Sequence, residues 1–297
     1  MGEASLAPCI VPTVRAVHQS RYLEIDGIRT HYIEAGEGPV LVLLHSGEFG
    51  ACAELSWEYL IPALSEYFRV IAPDWLGFGR TAKIHDFESK RARMLRHLAR
   101  FCEVMAIDAA PFVGNSMGAT YLLQAAAEDP CPLPVTSLVA ISGGGFIPEN
   151  EERQRMVDYD GSTKGMIGLL TAMFDSPVWF TDPDYVARRH ALSIAPGAWE
   201  SIAAARFRSP VAPPRSEFGN ADTTAYNRIA VPSLLIAGGR DRLRLPGYAD
   251  KVAAQIRDGR AVVIPDCGHC PNIERPAAVA AEIIDFVQAS DPGGLTR

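Results

Sequence analysis

The chain has 297 residues, 48% of them hydrophobic and 21% charged, a balance typical of a globular protein with one large domain. Its 28 basic and 35 acidic residues give a net charge of −7, so there is no basic field to attract nucleic acid. The longest apolar stretches fall far short of the roughly 18 residues that a membrane span requires. Neither nucleic acid nor a membrane is therefore expected as a partner.

The first residues, MGEASLAPCIVP, lack a basic flank followed by an apolar segment, so no secretory signal is expected. The six cysteines then indicate reduced thiols in a cytoplasmic protein. Cys267 and Cys270 form a CxxC pair, but no second pair accompanies them to complete a zinc site. The sequence therefore predicts no metal and no other cofactor.

Apolar, β-branched segments alternate with amphipathic ones along most of the chain, which predicts an α/β fold. Segments such as VLVLL and SLLIA are apolar throughout, as strands of a parallel sheet covered on both faces require. The two leading strands are expected to be antiparallel. The eight predicted strands are residues 21–25, 30–34, 40–45, 69–73, 111–114, 137–142, 233–237 and 261–265. The predicted helices among them are residues 57–67, 90–105, 117–128, 248–256 and 276–289.

Between residues 145 and 230 no strand-like segment occurs, a gap of about 85 residues that is far too long for an ordinary loop. Helical patterns at 165–174, 185–194 and 199–207 fill it, separated by prolines. This predicts a helical cap inserted after the sixth strand. The expected domains are a core of residues 1–145 and 230–297 and a helical cap, or lid, of residues 146–229.

The motif Gly114-Asn-Ser116-Met-Gly118 follows a predicted strand and opens a predicted helix. A G-x-S-x-G motif in this context places a nucleophile on a strained strand-to-helix turn, and the glycines let strand and helix approach closely. About 0.12 such motifs are expected by chance in this composition. The motif occurs between a predicted strand and a predicted helix, and this context strengthens the prediction that Ser116 is a nucleophile.

A serine hydroxyl needs a base to take its proton, and the base must be oriented by a carboxylate. Asp241 and His269 follow the seventh and eighth predicted strands, so both lie at carboxyl ends of parallel strands, where ligands bind. The order serine, acid, histidine agrees with this type of site. The alternatives are a helix N-cap for Ser116, a turn aspartate for Asp241, a packed loop histidine for His269, and Asp250 or Asp266 as the acid.

The backbone N–H groups of Met117 and Gly47 are the predicted oxyanion-hole donors, because one donor follows the nucleophile and the other lies in the loop after the third strand. His45 closes that strand and is interpreted as a structural residue that shapes the loop. Four histidines without such a placement are expected on the surface, namely His18, His31, His85 and His97.

These motifs resemble the α/β-hydrolase superfamily over essentially the whole chain, from YIEAGEGPVLVLLHSG through DWLGFGRT, GNSMG and GGRDR to CGHCPNIERP. The resemblance implies an α/β-hydrolase fold with an eight-stranded, mostly parallel sheet flanked by helices. GNSMG and DPDYVARRHALSIAPGA look like the meta-cleavage product hydrolases, serine enzymes that cleave a carbon–carbon bond in vinylogous diketo acids. The chain departs from that family in the loop HSGEFG, where H-G-x-G-P-G is usual, and at Cys270, where tryptophan is common.

The resemblance also implies substrate contacts. Arg189 aligns with the arginine directed at the substrate carboxylate, the alternative being a solvated helix arginine. Asn115, inside the GNSMG motif, is a further predicted contact. Glu48 and Phe49 stand where the family has small residues. If Glu48 lines the pocket beside Phe49, a dianionic substrate is disfavoured. If Glu48 lies on the surface instead, a dianionic substrate is still expected to fit.

The sequence therefore predicts a cofactor-independent serine hydrolase acting on a small or medium organic substrate. The family resemblance implies hydrolysis of a carbon–carbon bond in a ketone or diketo acid. A carboxylesterase or lactonase is the alternative, because the same triad serves both reactions. A non-catalytic ligand receptor on the same fold is a third hypothesis, which turnover of a generic ester would exclude. The sequence leaves open whether the chain forms a homo-oligomer.

Overall fold

The computed structural model describes residues 11, 17–87, 89–204 and 218–290. One sheet runs through it in the spatial order first, second, fourth, third, fifth, sixth, seventh and eighth strand. The second strand is antiparallel to both of its neighbours, and all other neighbouring strands are parallel. The strands are β1 (Gln19–Ile25), β2 (Ile28–Ala35), β3 (Val40–Leu44), β4 (Arg69–Pro73), β5 (Ala110–Asn115), β6 (Val135–Ile141), β7 (Ser233–Gly238) and β8 (Gly259–Ile264).

All eight predicted strands are confirmed, and their ends differ from prediction by at most two residues. The larger differences lie at polar strand ends. Gln19 and Ser20, for example, belong to β1 but are exposed. Such residues join the strand through backbone hydrogen bonds, which the pattern of apolar side chains in the sequence does not indicate.

Helices cover both faces of the sheet and fill the interval between β6 and β7. Within the described residues they are α1 (Ala53–Trp57), α2 (Ile61–Leu64), α3 (Lys90–Val104), α4 (Met117–Ala126), α5 (Glu151–Val157), α6 (Thr163–Met173), α7 (Val178–Thr181), α8 (Pro183–Ser193), α9 (Ala198–Ala203), α10 (Tyr248–Ala253), α11 (Pro271–Glu274) and α12 (Pro276–Ser290).

The predicted helix over residues 57–67 is wrong as a single element, because the chain forms α1 and α2 there instead. Pro62 lies in the first turn of α2, where its missing N–H costs nothing, whereas in the interior of a continuous helix it would remove a hydrogen bond and clash with the preceding turn. Three short helices among the described residues, α5, α7 and α11, have no counterpart in the prediction.

Strand β3 shows how the sheet holds the core together. Leu41 and Leu43 face one side and pack in a cluster with Trp57 of α1 and with α12. Val42 and Leu44 face the other side and pack with residues of α3, α4 and α10. All four side chains are fully buried, so this strand is covered on both faces, as its unbroken apolar sequence predicts.

Helices α5–α9, called here the helical insertion, lie between β6 and β7 as predicted. Their apolar residues form a third cluster, which also includes Phe49 and Ile273 from outside the insertion. The end of the predicted helix 199–207 and the proline cluster at 210–214 lie outside the described residues. Among the helices that are described, none is long and apolar enough to cross a membrane.

Candidate active site

The G-x-S-x-G motif forms a tight turn between β5 and α4. Ser116 has φ 52° and ψ −108°, a left-handed conformation that costs a non-glycine residue free energy and persists only where the surroundings impose it. The backbone N–H of Ser116 donates to the carbonyl oxygen of Ile141 on the neighbouring strand at 2.8 Å. The turn therefore holds the serine hydroxyl at the carboxyl edge of the sheet.

Gly118 allows helix α4 to lie directly against β3. A Cβ atom at this position would clash with the carbonyl oxygen of Leu44. We expect Gly118→Ala to destabilise the protein by about 1–3 kcal/mol through overpacking. Gly168→Ala in α6 is the matched control, because nothing lies within 4 Å of its Cβ position, and it should stabilise by roughly 0.5–1 kcal/mol. Urea unfolding measures both, and equal effects would contradict the steric argument.

The three predicted residues of the triad form a continuous hydrogen-bonded chain. His269 Nε2 lies 2.8 Å from Ser116 Oγ, and His269 Nδ1 lies 2.8 Å from Asp241 Oδ2. A carboxylate can only accept, so Nδ1 carries the proton and Nε2 accepts from the serine hydroxyl. Asp241 Oδ1 accepts a second hydrogen bond from the backbone N–H of Leu243 at 2.8 Å. The rival acids Asp250 and Asp266 are both exposed.

The surroundings shift the pKa values of His269 and Asp241 in the directions that their hydrogen bonds require. Burial lowers the pKa of His269, and the charges of Arg153 and Arg244 act in the same direction, against the pull of Asp241. Burial alone would raise the pKa of Asp241, but the charge and hydrogen bond of His269 outweigh it and the pKa is lowered. The imidazole is therefore neutral and the carboxylate ionised at neutral pH.

The two predicted oxyanion donors lie beside the serine. Gly47, Met117 and Ser116 line one cavity of about 330 Å³. A Cβ atom on Gly47 would clash with the Met117 side chain, so Gly47 lies directly against Met117. Met117 is the first residue of α4, where an amide has no acceptor within its own helix. This arrangement is suited to a developing oxyanion.

His45 is buried under the loop after β3. Its Nε2 accepts from the backbone N–H of Trp75 at 3.0 Å, and its Nδ1 donates to the carbonyl oxygen of Ser46 at 2.6 Å. The Trp75 indole N–H donates in turn to the His45 carbonyl oxygen at 2.9 Å. Both ring nitrogens are thus engaged in holding the loop, in line with the structural interpretation.

The predicted surface position of His31 is wrong. Its side chain is 2% exposed and its Nδ1 lies 2.7 Å from Asp74 Oδ2. Asp74 also accepts from the backbone N–H groups of Ala53 and Arg80. A polar pair of this kind is buried because each group has its partner, and the partner lies too far along the chain for local sequence to indicate it.

The structure places Arg189 differently from the prediction. The side chain has no exposed surface, and its guanidinium forms an ion pair with Glu48 and donates to the hydroxyl of Tyr185 at 3.0 and 3.2 Å. It is not among the residues that line the cavity. Arg189 is therefore neither a solvated helix arginine nor free to bind a substrate carboxylate.

Glu48 and Phe49 line the cavity beside Gly47, and the surface position considered for Glu48 is wrong, since its side chain is 1% exposed. Glu48 is neutralised by Arg189, so its charge does not repel an anionic substrate as an unpaired carboxylate would. Asn115 is completely buried and does not line the cavity. Its amide donates to the Ile141 carbonyl oxygen at 3.4 Å, and the predicted substrate contact of Asn115 stays a prediction.

Two arginines that the sequence did not single out line the same cavity, Arg153 of α5 and Arg244. Their exposure is only 7% and 5%. A signal for α5 was present, because Asn150 caps its first turn and Glu151 and Glu152 follow. Nothing local distinguishes Arg244 from the exposed Arg242 two residues earlier.

The CxxC pair flanks the triad histidine His269 in the sequence. Cys267 and Cys270 are buried free thiols, and burial raises the pKa of Cys267 to about 12. A thiol with so high a pKa is a poor nucleophile and a poor metal ligand. The described part of the chain contains no cluster of three or more His, Cys, Asp or Glu that could hold a metal ion.

Residues 41–282 match the sequence profile of the alpha/beta hydrolase family, and the chain belongs to this family. The fold and the strand-to-helix turn around Ser116 agree with this family. Because its relatives are hydrolases, the chain is identified as a hydrolase.

Among those relatives is 2-hydroxy-6-oxo-6-(2'-aminophenyl)hexa-2,4-dienoic acid hydrolase of Metapseudomonas resinovorans, 31% identical over 92% of each chain. A 2-hydroxymuconate semialdehyde hydrolase of Pseudomonas sp. (strain CF600) is 29% identical over 91% of this chain and 94% of that protein. The solved structure of a meta-cleavage product hydrolase from Pseudomonas fluorescens IP01 superposes with a TM-score of 0.80 at 25% identity, covering 91% of this chain and 98% of that one. Within the family, the chain is thus similar to carbon–carbon bond hydrolases.

Proposed function

We propose that the protein is a serine hydrolase that uses no cofactor, with Ser116 as nucleophile, His269 as general base and Asp241 as the carboxylate that orients the base. The single observation that carries this proposal is the hydrogen-bonded chain from Ser116 Oγ through His269 to Asp241, with both distances at 2.8 Å. The backbone N–H groups of Met117 and Gly47 form the oxyanion hole. A small or medium organic molecule is the substrate, in keeping with a cavity of about 330 Å³.

In the first step the Ser116 oxygen attacks the substrate carbonyl carbon while His269 Nε2 takes the hydroxyl proton. The oxyanion formed is stabilised by the two backbone donors. When the intermediate collapses, His269 returns the proton to the leaving group. A water molecule, deprotonated by His269, then releases the acid from Ser116. With a dienol substrate, His269 first assists conversion to the keto form, and the leaving group is a carbon atom.

Hydrolysis of a carbon–carbon bond in a keto acid is the leading reaction, supported by the 31% identity to a dienoic acid hydrolase. A carboxylesterase or lactonase is the second candidate. The observation in its favour is that the guanidinium of Arg189 is enclosed by Glu48 and Tyr185, which disfavours the carboxylate contact implied by the resemblance.

Purified protein assayed against ring-fission diketo acids, lactones and aryl esters separates these candidates. The carbon–carbon hydrolase predicts the highest kcat/KM on the diketo acids. Turnover confined to esters or lactones would support the second candidate, and no turnover of any class by folded protein would favour a ligand receptor. His269→Ala is the negative control throughout.

The pH dependence of kcat/KM follows from the His269 imidazole. Burial, with Arg153 and Arg244, lowers its pKa, and only the neutral form accepts the serine proton. We therefore expect kcat/KM for a neutral ester to be constant at neutral pH and to fall as the pH drops through a midpoint below 6.5. A midpoint above 6.5 would contradict the assignment of the base.

The helical insertion is proposed to act as a cap over the cavity, since α5 and α6 supply lining residues such as Arg153 and Leu169. The backbone N–H of His269 donates to the carbonyl oxygen of Met173 in α6 at 2.7 Å, which links this layer to the base. The free thiols of five described cysteines support the predicted cytoplasmic location.

A further inference from the structure

Arg153 and Arg244 are the basic residues of the described cavity wall, and they are almost completely buried. Burying a guanidinium is costly unless an anion accompanies it. Neither arginine forms an ion pair with a carboxylate of the described residues. The carboxylate of Glu152, one residue before Arg153, is paired with Arg155 and Arg242 instead. The two cations are therefore held in place without a dedicated counter-ion.

Backbone carbonyl groups position both side chains. Arg244 donates from Nε to the carbonyl oxygen of Ser142 at 3.1 Å and from Nη1 to that of Gly144 at 2.7 Å. Arg153 donates from Nη2 to the carbonyl oxygen of Leu243 at 2.7 Å. Arg153 Nε is buried and has no hydrogen-bond partner within the described chain. A guanidinium has five N–H donors, so each arginine keeps donors for a ligand.

The charge balance at the cavity favours an anion. Glu48 is the acidic residue among the described lining residues, and it is already paired with Arg189. Asp241 partly offsets the two arginines but is committed to His269. Burial and the neighbouring Arg244 lower the pKa of Arg153 to about 10, so the Arg153 side chain is still cationic at neutral pH. The repulsion between two like charges in a buried wall is relieved when an anion binds between them.

We propose that Arg153 and Arg244 form a carboxylate-binding subsite, and that the substrate carries a carboxylate on its acyl side, a short distance from the scissile bond. This inference rests on the proposed function and names its substrate class. Guanidinium groups match carboxylates through paired N–H donors. Arg189 does not take this role, because it is enclosed by its own partners.

The position of Arg244 indicates how far the carboxylate lies from the nucleophile. Its Nη2 is 3.5 Å from Thr120 Oγ1, and the backbone N–H of Thr120 donates to the carbonyl oxygen of Ser116 at 2.9 Å. Thr120 is one helical turn beyond Ser116, a rise of about 6 Å along the axis. A short dicarboxylic half-ester, such as a glutaryl ester, has an acyl chain of this order of length.

The test compares two aryl esters of equal acyl length, neutral p-nitrophenyl pentanoate and mono-p-nitrophenyl glutarate. In Arg153→Met and Arg244→Met, the ratio of kcat/KM for the glutarate ester to kcat/KM for the pentanoate ester should fall by about 10- to 100-fold, the equivalent of a hydrogen bond to a charged group. The ratio cancels any change in the base itself, because both arginines also lower the pKa of His269. Arg153→Lys should retain part of the preference because it keeps the charge. Arg155→Met, on the exposed side of α5, is the matched control and should behave as wild type.

Binding is measured separately in Ser116→Ala, which needs no turnover. Glutarate should raise its Tm, and adding Arg153→Met should abolish the rise. Hydrolysis of both esters with an unchanged glutarate-to-pentanoate ratio in the methionine variants would overturn the subsite and leave the hydrolase standing. An arginine-dependent rise in Tm without hydrolysis of either ester would support the subsite and contradict the proposed function. If Arg244→Met does not fold, Arg153→Met with its lysine counterpart decides the question.

Discussion

Replacing Ser116 by alanine should lower kcat by several orders of magnitude, on the order of 10⁶ for loss of a triad nucleophile. The hydroxyl is the group that forms the covalent bond, and no other described side chain hydrogen-bonds His269 Nε2. The substitution removes one oxygen atom at a partly exposed position, so the folded structure should persist. Steady-state kinetics on any ester that the wild type hydrolyses measures the loss, with thermal unfolding as the check on folding.

A serine-reactive fluorophosphonate gives an independent readout of the same residue. Mass spectrometry should find the adduct on the peptide containing Ser116 in the wild type and no adduct in Ser116→Ala. His269→Ala should also label slowly, because the serine then lacks its base. Near-wild-type turnover by Ser116→Ala would contradict the nucleophile assignment, and activity retained only on ring-fission substrates would indicate that an activated water attacks instead.

Breaking the buried ion pair between Glu48 and Arg189 should cause the largest loss of stability of any single substitution considered for this protein. Glu48→Gln leaves the Arg189 guanidinium charged and fully buried, which is expected to cost about 3–5 kcal/mol. The pair joins α8 of the helical insertion to the loop after β3, so the loss should also loosen the insertion. Urea unfolding measures the free energy, and limited proteolysis reports on the insertion.

Arg188 and Glu58 supply a matched control one residue away. They also join α8 to the core, at 2.7 Å, but Arg188 is 44% exposed, and Glu58→Gln should cost no more than about 1 kcal/mol. Replacing both buried partners, as in Glu48→Leu with Arg189→Met, should recover most of the stability lost in Glu48→Gln, because no unpaired charge remains. Equal losses in Glu48→Gln and Glu58→Gln would contradict this account.

The same pair explains why the roles of Glu48 and Arg189 could not be predicted. The sequence identified both as residues of interest, one as a departure from the family loop and one as a carboxylate ligand. Their positions differ by 141 residues, and no local pattern indicates that they meet. In the folded protein they form an ion pair, which encloses the Arg189 guanidinium and neutralises the Glu48 carboxylate. The role predicted for each residue is therefore altered by its contact with the other.

The amino-acid sequence by itself determined the strands, the family and the three residues of the proposed triad. Strand β3 is recognisable because five consecutive apolar residues suit a sheet covered on both faces. Ser116, Asp241 and His269 are recognisable because each follows a strand in a fixed chain order, and parallel strands bring their carboxyl ends to one edge. These features follow from neighbours along the chain and from the topology they build.

Only the tertiary structure decided which charged residues enter the interior. Arg153, Arg244 and His31 are polar in sequence and buried in the fold, while Arg242, between Asp241 and the buried Leu243, is exposed. A charged side chain is buried where distant carbonyls or carboxylates can satisfy it. Such partners are assembled by packing, so the chemistry of the cavity wall depends on contacts that local sequence does not encode.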